Sequence, residues 1–350
     1  MISLKLYHTL SRSTQCVKYI STDLFSKSHT INVFRNPCFK PFRTKKSMDV
    51  QSPESDANMG LYRDLFSEPL KPGRLKGPLL FTVCTGACCF VGCSIWSYEN
   101  YINRGATFID NLKKDFNSAH PRPNEPAWRK DLRHFWNSLH PGERLFAPIL
   151  FLNGLVFAAW SLPRLHLTMY RFFASNPQSK TLCSPMLLST FSHQSIFHLL
   201  ANMFVLHSFM PNAVQDMGKE QFVGFYLTAG VFASLLSYTH KILVCGSGLS
   251  LGASGAIMGV LAYTCMKHPD TELGILFVPY FRFSAESAIG GLVLLDTLGV
   301  LFKWKLFDHA AHLGGALFGI AYAKWGDDLW RSRTRVVEQW KAMKKTVKGD

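Results

Sequence analysis

Gly246-Ser247-Gly248-Leu249-Ser250-Leu251-Gly252-Ala253-Ser254-Gly255-Ala256-Ile257-Met258-Gly259 is the stretch on which the fold turns. A loop of glycine and serine runs directly into an apolar helix, with Ser254 at the junction. A hydroxyl there lies among unpaired backbone N–H groups, at the positive end of the helix dipole. Those groups could stabilise an oxyanion forming beside it. Taken alone, Ser254 also reads as an N-cap serine before a membrane helix. A second stretch, Asp308-His309-Ala310-Ala311-His312-Leu313-Gly314-Gly315-Ala316-Leu317-Phe318-Gly319, and a third around His198 and Asn202, weigh against that bland reading.

Around these stretches the chain is apolar in long runs. Of its 350 residues 47% are hydrophobic and 17% charged, and runs without period-2 alternation point to an all-α membrane protein, not a barrel. The net charge is +15, but Lys and Arg flank the apolar runs. That placement fits anionic lipid headgroups, cardiolipin among them, in place of nucleic acid. Cys84, Cys88, Cys89 and Cys93 repeat at helical spacing with no His or carboxylate between them, and read as helix- or lipid-facing thiols.

Residues 1–48 carry nine Lys/Arg and one acid, Asp23, among many hydroxyl residues. That is the composition of a mitochondrial transit peptide. Residues 49–76 read as a polar tether, 77–98 as a first span, and 99–144 as a connector whose Trp128, Phe135 and Trp136 suit a bilayer surface. Six further spans are predicted over 145–326: about 145–162, 195–210, 222–242, 254–267, 284–302 and 309–325. A basic tail follows at 327–350. A leader directed to the matrix would leave the N-terminus there and the C-terminus in the intermembrane space.

Polar side chains inside a bilayer are costly and face a cavity or a partner. His198 and Asn202, Ser254, and His312 fall in the first turns of the third, fifth and seventh spans. Alternate spans run in the same direction, so these residues belong on one side of the membrane at similar depth. The fifth span has about 15 residues, roughly 22 Å, against a hydrocarbon core of ~30 Å, which sinks Ser254 below the surface. Irregular backbone at that depth has to be packed in protein or line a watery cavity. Gly255 and Gly259, like Gly315 and Gly319, are four apart and permit close helix approach.

On these residues the sequence resembles the rhomboid intramembrane serine proteases. The strings Gly252-Ala253-Ser254-Gly255, Ala311-His312-Leu313-Gly314-Gly315-Ala316-Leu317-Phe318-Gly319 and His198-Leu199-Leu200-Ala201-Asn202 carry the likeness, in the family's order. The extra first span, the leader and the strings Ser184–His193 and Phe307–His312 are similar to the mitochondrial, presenilin-associated branch. The resemblance implies a six-helix core with one added N-terminal helix, Ser254 as nucleophile, His312 as general base, and no cofactor or metal. It implies an oxyanion site made of the Ser254 N–H with His198 and Asn202. It implies an inner-membrane, multi-pass protease acting on single-pass transmembrane proteins, such as a dynamin-like fusion GTPase and a quality-control kinase, with roles in fusion and mitophagy.

Two departures stand out. The tyrosine that many bacterial relatives place four residues after the serine is Met258 here, so another group must orient His312. The Trp-Arg pair of the first long loop is absent, with Tyr170-Arg171 in its place. Asp308 is read as an N-cap in preference to a triad acid, and Asp296 as an isolated structural or gating contact. The sequence has no His-Glu-x-x-His and no Gly-x-Gly-Asp, which disfavours zinc and aspartyl intramembrane proteases. An inactive helix-binding relative and a transporter are the rival classes.

Overall fold

A computed structural model describes residues 65–117, 126–275, 278–304 and 307–348. The leader expected over 1–48, and the tether as far as residue 64, lie outside them. In chain order the helices are α1 (Lys76–Asn117), α2 (Ala127–Ser138), α3 (Pro141–Trp160), α4 (His166–Phe172), α5 (Cys183–Leu188), α6 (Ile196–Met217), α7 (Lys219–Leu243), α8 (Ser254–Lys267), α9 (Ala285–Leu301), α10 (His309–Arg331) and α11 (Thr334–Lys348). Strands β1 (Glu272–Ile275) and β2 (Val278–Ser284) pair antiparallel between α8 and α9.

Capping chemistry explains several boundaries. His140 and Glu143 form a reciprocal capping box at the start of α3. Ser284 accepts from the Ser287 N–H to open α9, and Asp308 from the Ala311 N–H to open α10. Gly218 divides α6 from α7 at φ +82°, a conformation that a side chain would strain.

α8 is the hub. Gly255, Ala256, Ile257, Met258, Gly259 and Val260 are all buried, and the helix packs against α6, α7, α9 and α10. Phe225 of α7, Tyr263 of α8, and Phe318 and Tyr322 of α10 fill the middle of this bundle with mutually contacting rings. Outward, by contrast, α3 exposes Leu150, Phe151 and Leu155, α6 exposes Phe197, Leu200 and Phe204, and α9 exposes Leu294, Leu295 and Leu301. Apolar surface on this scale belongs in lipid.

Among the described residues, three helices are long and apolar enough to cross a bilayer by length and composition alone: Pro72–Asp110, Pro141–Trp160 and Lys219–Leu243. α6, α8, α9 and α10 fall short of that measure. α8 and α9 have only 14 and 17 residues, and polar side chains interrupt α6 and α10. These four carry His198, Ser254, Asp296 and His312, so the helices that fall short of a full apolar span are the ones that hold the polar residues singled out from the sequence.

The structure departs from the sequence expectation in three places. α1 does not end near Tyr98 but continues through the first part of the connector to Asn117. Its Glu99 accepts from Trp340 Nε1 (2.7 Å) and Lys344 Nζ (2.8 Å), so the tail is a helix docked on α1. The fold is also not purely helical, because the segment before α9 forms the β1–β2 hairpin. Its alternating Tyr280, Phe281, Arg282 and Phe283 suit a pleated ribbon with one apolar edge.

Candidate active site

Ser254 is the first residue of α8, and His312 lies in the first turn of α10. Close crossing of these helices brings the two together. A Cβ built on Gly315 would lie 1.8 Å from the Gly255 carbonyl oxygen, and one on Gly319 would lie 2.2 Å from the Gly259 oxygen. No other residue leaves room for backbone against backbone at this distance. Across that seam His312 Nε2 meets Ser254 Oγ at 2.8 Å.

For Nε2 to accept the serine proton, the neutral imidazole must carry its own proton on Nδ1. Nδ1 faces Asp296 Oδ1 of α9 at 3.6 Å. The same oxygen is 2.7 Å from His309 Nδ1, with Asp296 only 2% and His309 4% exposed. Asp296, read from sequence as isolated, is therefore corrected: it sits beneath both histidines. Gly299, three residues on, leaves space for the His309 ring, which would lie 2.3 Å from an added Cβ. The Phe307 ring stacks on His312 at 5.9 Å between centroids, tilted 28°. Phe307 and Asp296 thus occupy the two sides from which the ring of His312 is steadied, where Met258 offers no aromatic face.

The loop delivering Ser254 is held by backbone. Ser250 and Ser175 exchange two hydrogen bonds of 2.8 Å, and the Gly252 N–H donates to Ser189 O at 3.0 Å. Gly252 has φ +125°, and the His198 ring lies 2.7 Å from where its Cβ would be. Both conformation and space exclude a side chain there. His198 thereby stands against the backbone two residues before Ser254, edge-on to His193 at 5.0 Å. His193 Nε2 accepts from the Ala253 N–H at 3.4 Å. Burial, and secondarily the neighbouring His198, push the His193 pKa down to about 3, which keeps it neutral and able to accept.

Asn202 is placed differently from His198. It is buried, and its Nδ2 donates to the His198 carbonyl oxygen one turn back at 2.8 Å. One of its two donors is thus committed to its own helix. Sequence reasoning weighed His309 only as a metal ligand beside His312 and Asp308, not as a partner of Asp296, and it missed Gly299 and Phe307. The available signal was an acid placed within an apolar span, which demands a partner. Among the described residues no group of three or more His, Cys, Asp or Glu could hold a metal ion.

Comparison with known proteins agrees with this architecture. A Rhomboid domain matches residues 181–326. The rat presenilin-associated rhomboid-like protein, mitochondrial, is 47% identical over 276 residues, covering 79% of this chain and 73% of the relative. The zebrafish presenilin-associated rhomboid-like protein A, mitochondrial, is 36% identical over 335 residues, 89% of this chain and 87% of the relative. Rhomboid protein 1, mitochondrial, of Saccharomyces cerevisiae is 32% identical over 185 residues, about half of each chain. With the glycine-lined helix seam, the short serine-bearing helix and these identities together, the chain belongs to the rhomboid family, in its mitochondrial presenilin-associated branch.

Proposed function

We propose that this protein is an intramembrane serine endopeptidase in which Ser254 and His312 perform the chemistry. The observation that carries the reading is the 2.8 Å contact between Ser254 Oγ and His312 Nε2 at the start of two helices in direct backbone contact. Family membership supports the reaction class. Ser254 Oγ attacks a peptide carbonyl while His312 Nε2 takes its proton. The tetrahedral oxyanion lies toward the N-terminus of α8, within reach of the Ser254 N–H and the His198 ring. Collapse expels the amine, which leaves with the proton from His312. Water, deprotonated by the same nitrogen, then releases the acyl group and restores the serine.

Asp296 is assigned to orient His312 through Nδ1 and to stabilise the imidazolium formed in each half-reaction. His309 shares that carboxylate and fixes its position. Asn202 contributes to the oxyanion site through whatever donor its helix carbonyl leaves over, and so less than His198.

The substrates are single-pass membrane proteins. A helical segment hides its carbonyls in its own hydrogen bonds, so a segment must unwind locally before Ser254 reaches one, and small or helix-breaking residues favour this. Substrates reach the site laterally past α9 and the Phe281/Phe283 edge of the hairpin. Seven spans, one plus six, in the mitochondrial inner membrane complete the reading, with membrane lipids such as cardiolipin as surroundings. By family likeness the substrate class includes a dynamin-like fusion GTPase and a quality-control kinase, linking the enzyme to fusion and mitophagy. The test is cleavage of a reporter transmembrane segment by the purified protein in proteoliposomes: activity lost in both Ser254→Ala and His312→Ala supports the assignment, and activity surviving either rejects it.

A further inference from the structure

A polar cluster lies just behind the Ser254–His312 pair, and the chemistry above leaves it without a part. Asp308 uses both carboxylate oxygens. Oδ1 accepts from the Ala311 N–H at 3.1 Å, capping α10. Oδ2 accepts from Ser237 Oγ at 2.5 Å, from Lys241 Nζ at 3.2 Å and from Ser250 Oγ. Lys241 also donates to Ser250. Ser237 and Lys241 are one turn apart at the end of α7, so a single helix face presents both. Burial acts to raise the Asp308 pKa, but Lys241 and the hydroxyls of Ser237 and Ser250 outweigh it and hold the carboxyl well below its ordinary range. It is a committed carboxylate.

The spacing gives the cluster its meaning. Ser250 precedes Ser254 by four residues, and Asp308 precedes His312 by four. Ser250 is also the residue whose backbone is bridged to Ser175. Every covalent route between Ser254 and His312 is long, but through Ser250 and Asp308 the two are connected by one hydrogen bond and two short backbone segments. Lys241 neutralises the junction from a third element, α7. Loss of its charge would leave the Asp308 carboxylate, only 20% exposed, without its ion-pair partner, and the carboxylate would turn toward water, away from Ser250.

We propose that Lys241, Asp308 and Ser250 form a clamp of positioning residues, which sets the loop carrying Ser254 in register with the helix carrying His312. The clamp touches no reacting atom. It acts by holding the serine–histidine distance, and a displacement of about 1 Å in such a pair costs on the order of 10²-fold in rate. The inference rests on the protease reading of Ser254 and His312.

The test uses the full chain in proteoliposomes with a reporter transmembrane substrate, and active sites counted by a fluorophosphonate that labels the reactive serine. Lys241→Met is expected to lower kcat per counted site about ten-fold or more with KM unchanged, and Lys241→Arg to restore most of it, because a cation is retained. Ser250→Ala keeps the ion pair and is expected to lower kcat in the same way, less severely. A purely structural role would reduce the number of counted sites and leave the turnover of each one intact. Should Lys241→Met yield no folded protein, Ser250→Ala decides: a fall in kcat per site beyond two-fold supports the clamp, and any smaller change overturns it. If the wild type itself fails to cleave, the protease reading falls first, an outcome distinct from equal cleavage by wild type and clamp variants.

Discussion

Replacing Gly315 by alanine would put a methyl carbon 1.8 Å from the Gly255 carbonyl oxygen, 2.8 Å from its carbon and 3.3 Å from the Gly259 nitrogen. All three atoms are backbone, so no side chain can turn aside. Ordinary contact begins at 3.4 Å, and α8 and α10 must part locally by about 1.6 Å to reach it. The Ser254–His312 contact, 2.8 Å long, bridges the same seam one turn away. Even half that displacement takes the pair beyond hydrogen-bond reach. Overpacking of this kind costs about 1–3 kcal/mol of stability. The catalytic penalty is larger, on the order of 10²-fold in kcat, because near-attack geometry is lost. The assay compares kcat in proteoliposomes with the thermal unfolding midpoint of the same preparation. Gly315→Ala should lower kcat far more than its modest loss of stability accounts for. A variant that folds and retains kcat within two-fold of wild type would refute the idea that helix approach sets the serine–histidine distance.

Other expectations follow from the same geometry. Asp296→Asn keeps size but removes the charge facing His312 Nδ1 at 3.6 Å, and should lower kcat by about ten-fold or more with little change in KM; a neutral result would return Asp296 to a packing role. His198→Ala should cost about 10²–10³ in kcat, while Asn202→Ala, whose amide already serves its own helix, should cost less than about ten-fold; the reverse order would reassign the oxyanion donors. His193 has a folded pKa pushed down to about 3, below the unfolded value of 6.5, so the unfolded chain binds the extra proton and stability declines as pH falls from about 6.5 toward 3. His193→Asn should flatten the acid side of a plot of unfolding midpoint against pH, and an unchanged slope would contradict the burial argument.

Much of the site was legible in the sequence because its constraints are local. The glycine pairs at four-residue spacing, the serine at a loop-to-helix junction and the histidine one turn into an apolar helix each follow from neighbours in the chain. The short α8 was legible too, since Lys267-His268-Pro269 ends it. What escaped depends on contacts that periodicity does not encode. Asp296 looked solitary because its partners, His309 and His312, are on the next helix and approach only once Gly299 admits the His309 ring. Phe307 became the stacking partner of His312 through the turn before α10, where Met258 had left that place open. The docking of α11 on Glu99 joins residues some 240 positions apart, and the hairpin before α9 was hidden by the short length of its strands.

In the proposed reading, His312 makes Ser254 a nucleophile. The most direct measurement is the rate at which a fluorophosphonate labels the membrane-embedded protein, with the modified residue located by peptide mass spectrometry. Modification is expected at Ser254 in the wild type, with near-complete loss in His312→Ala. Labelling at another serine, or equal labelling of Ser254 with His312 replaced, would contradict it.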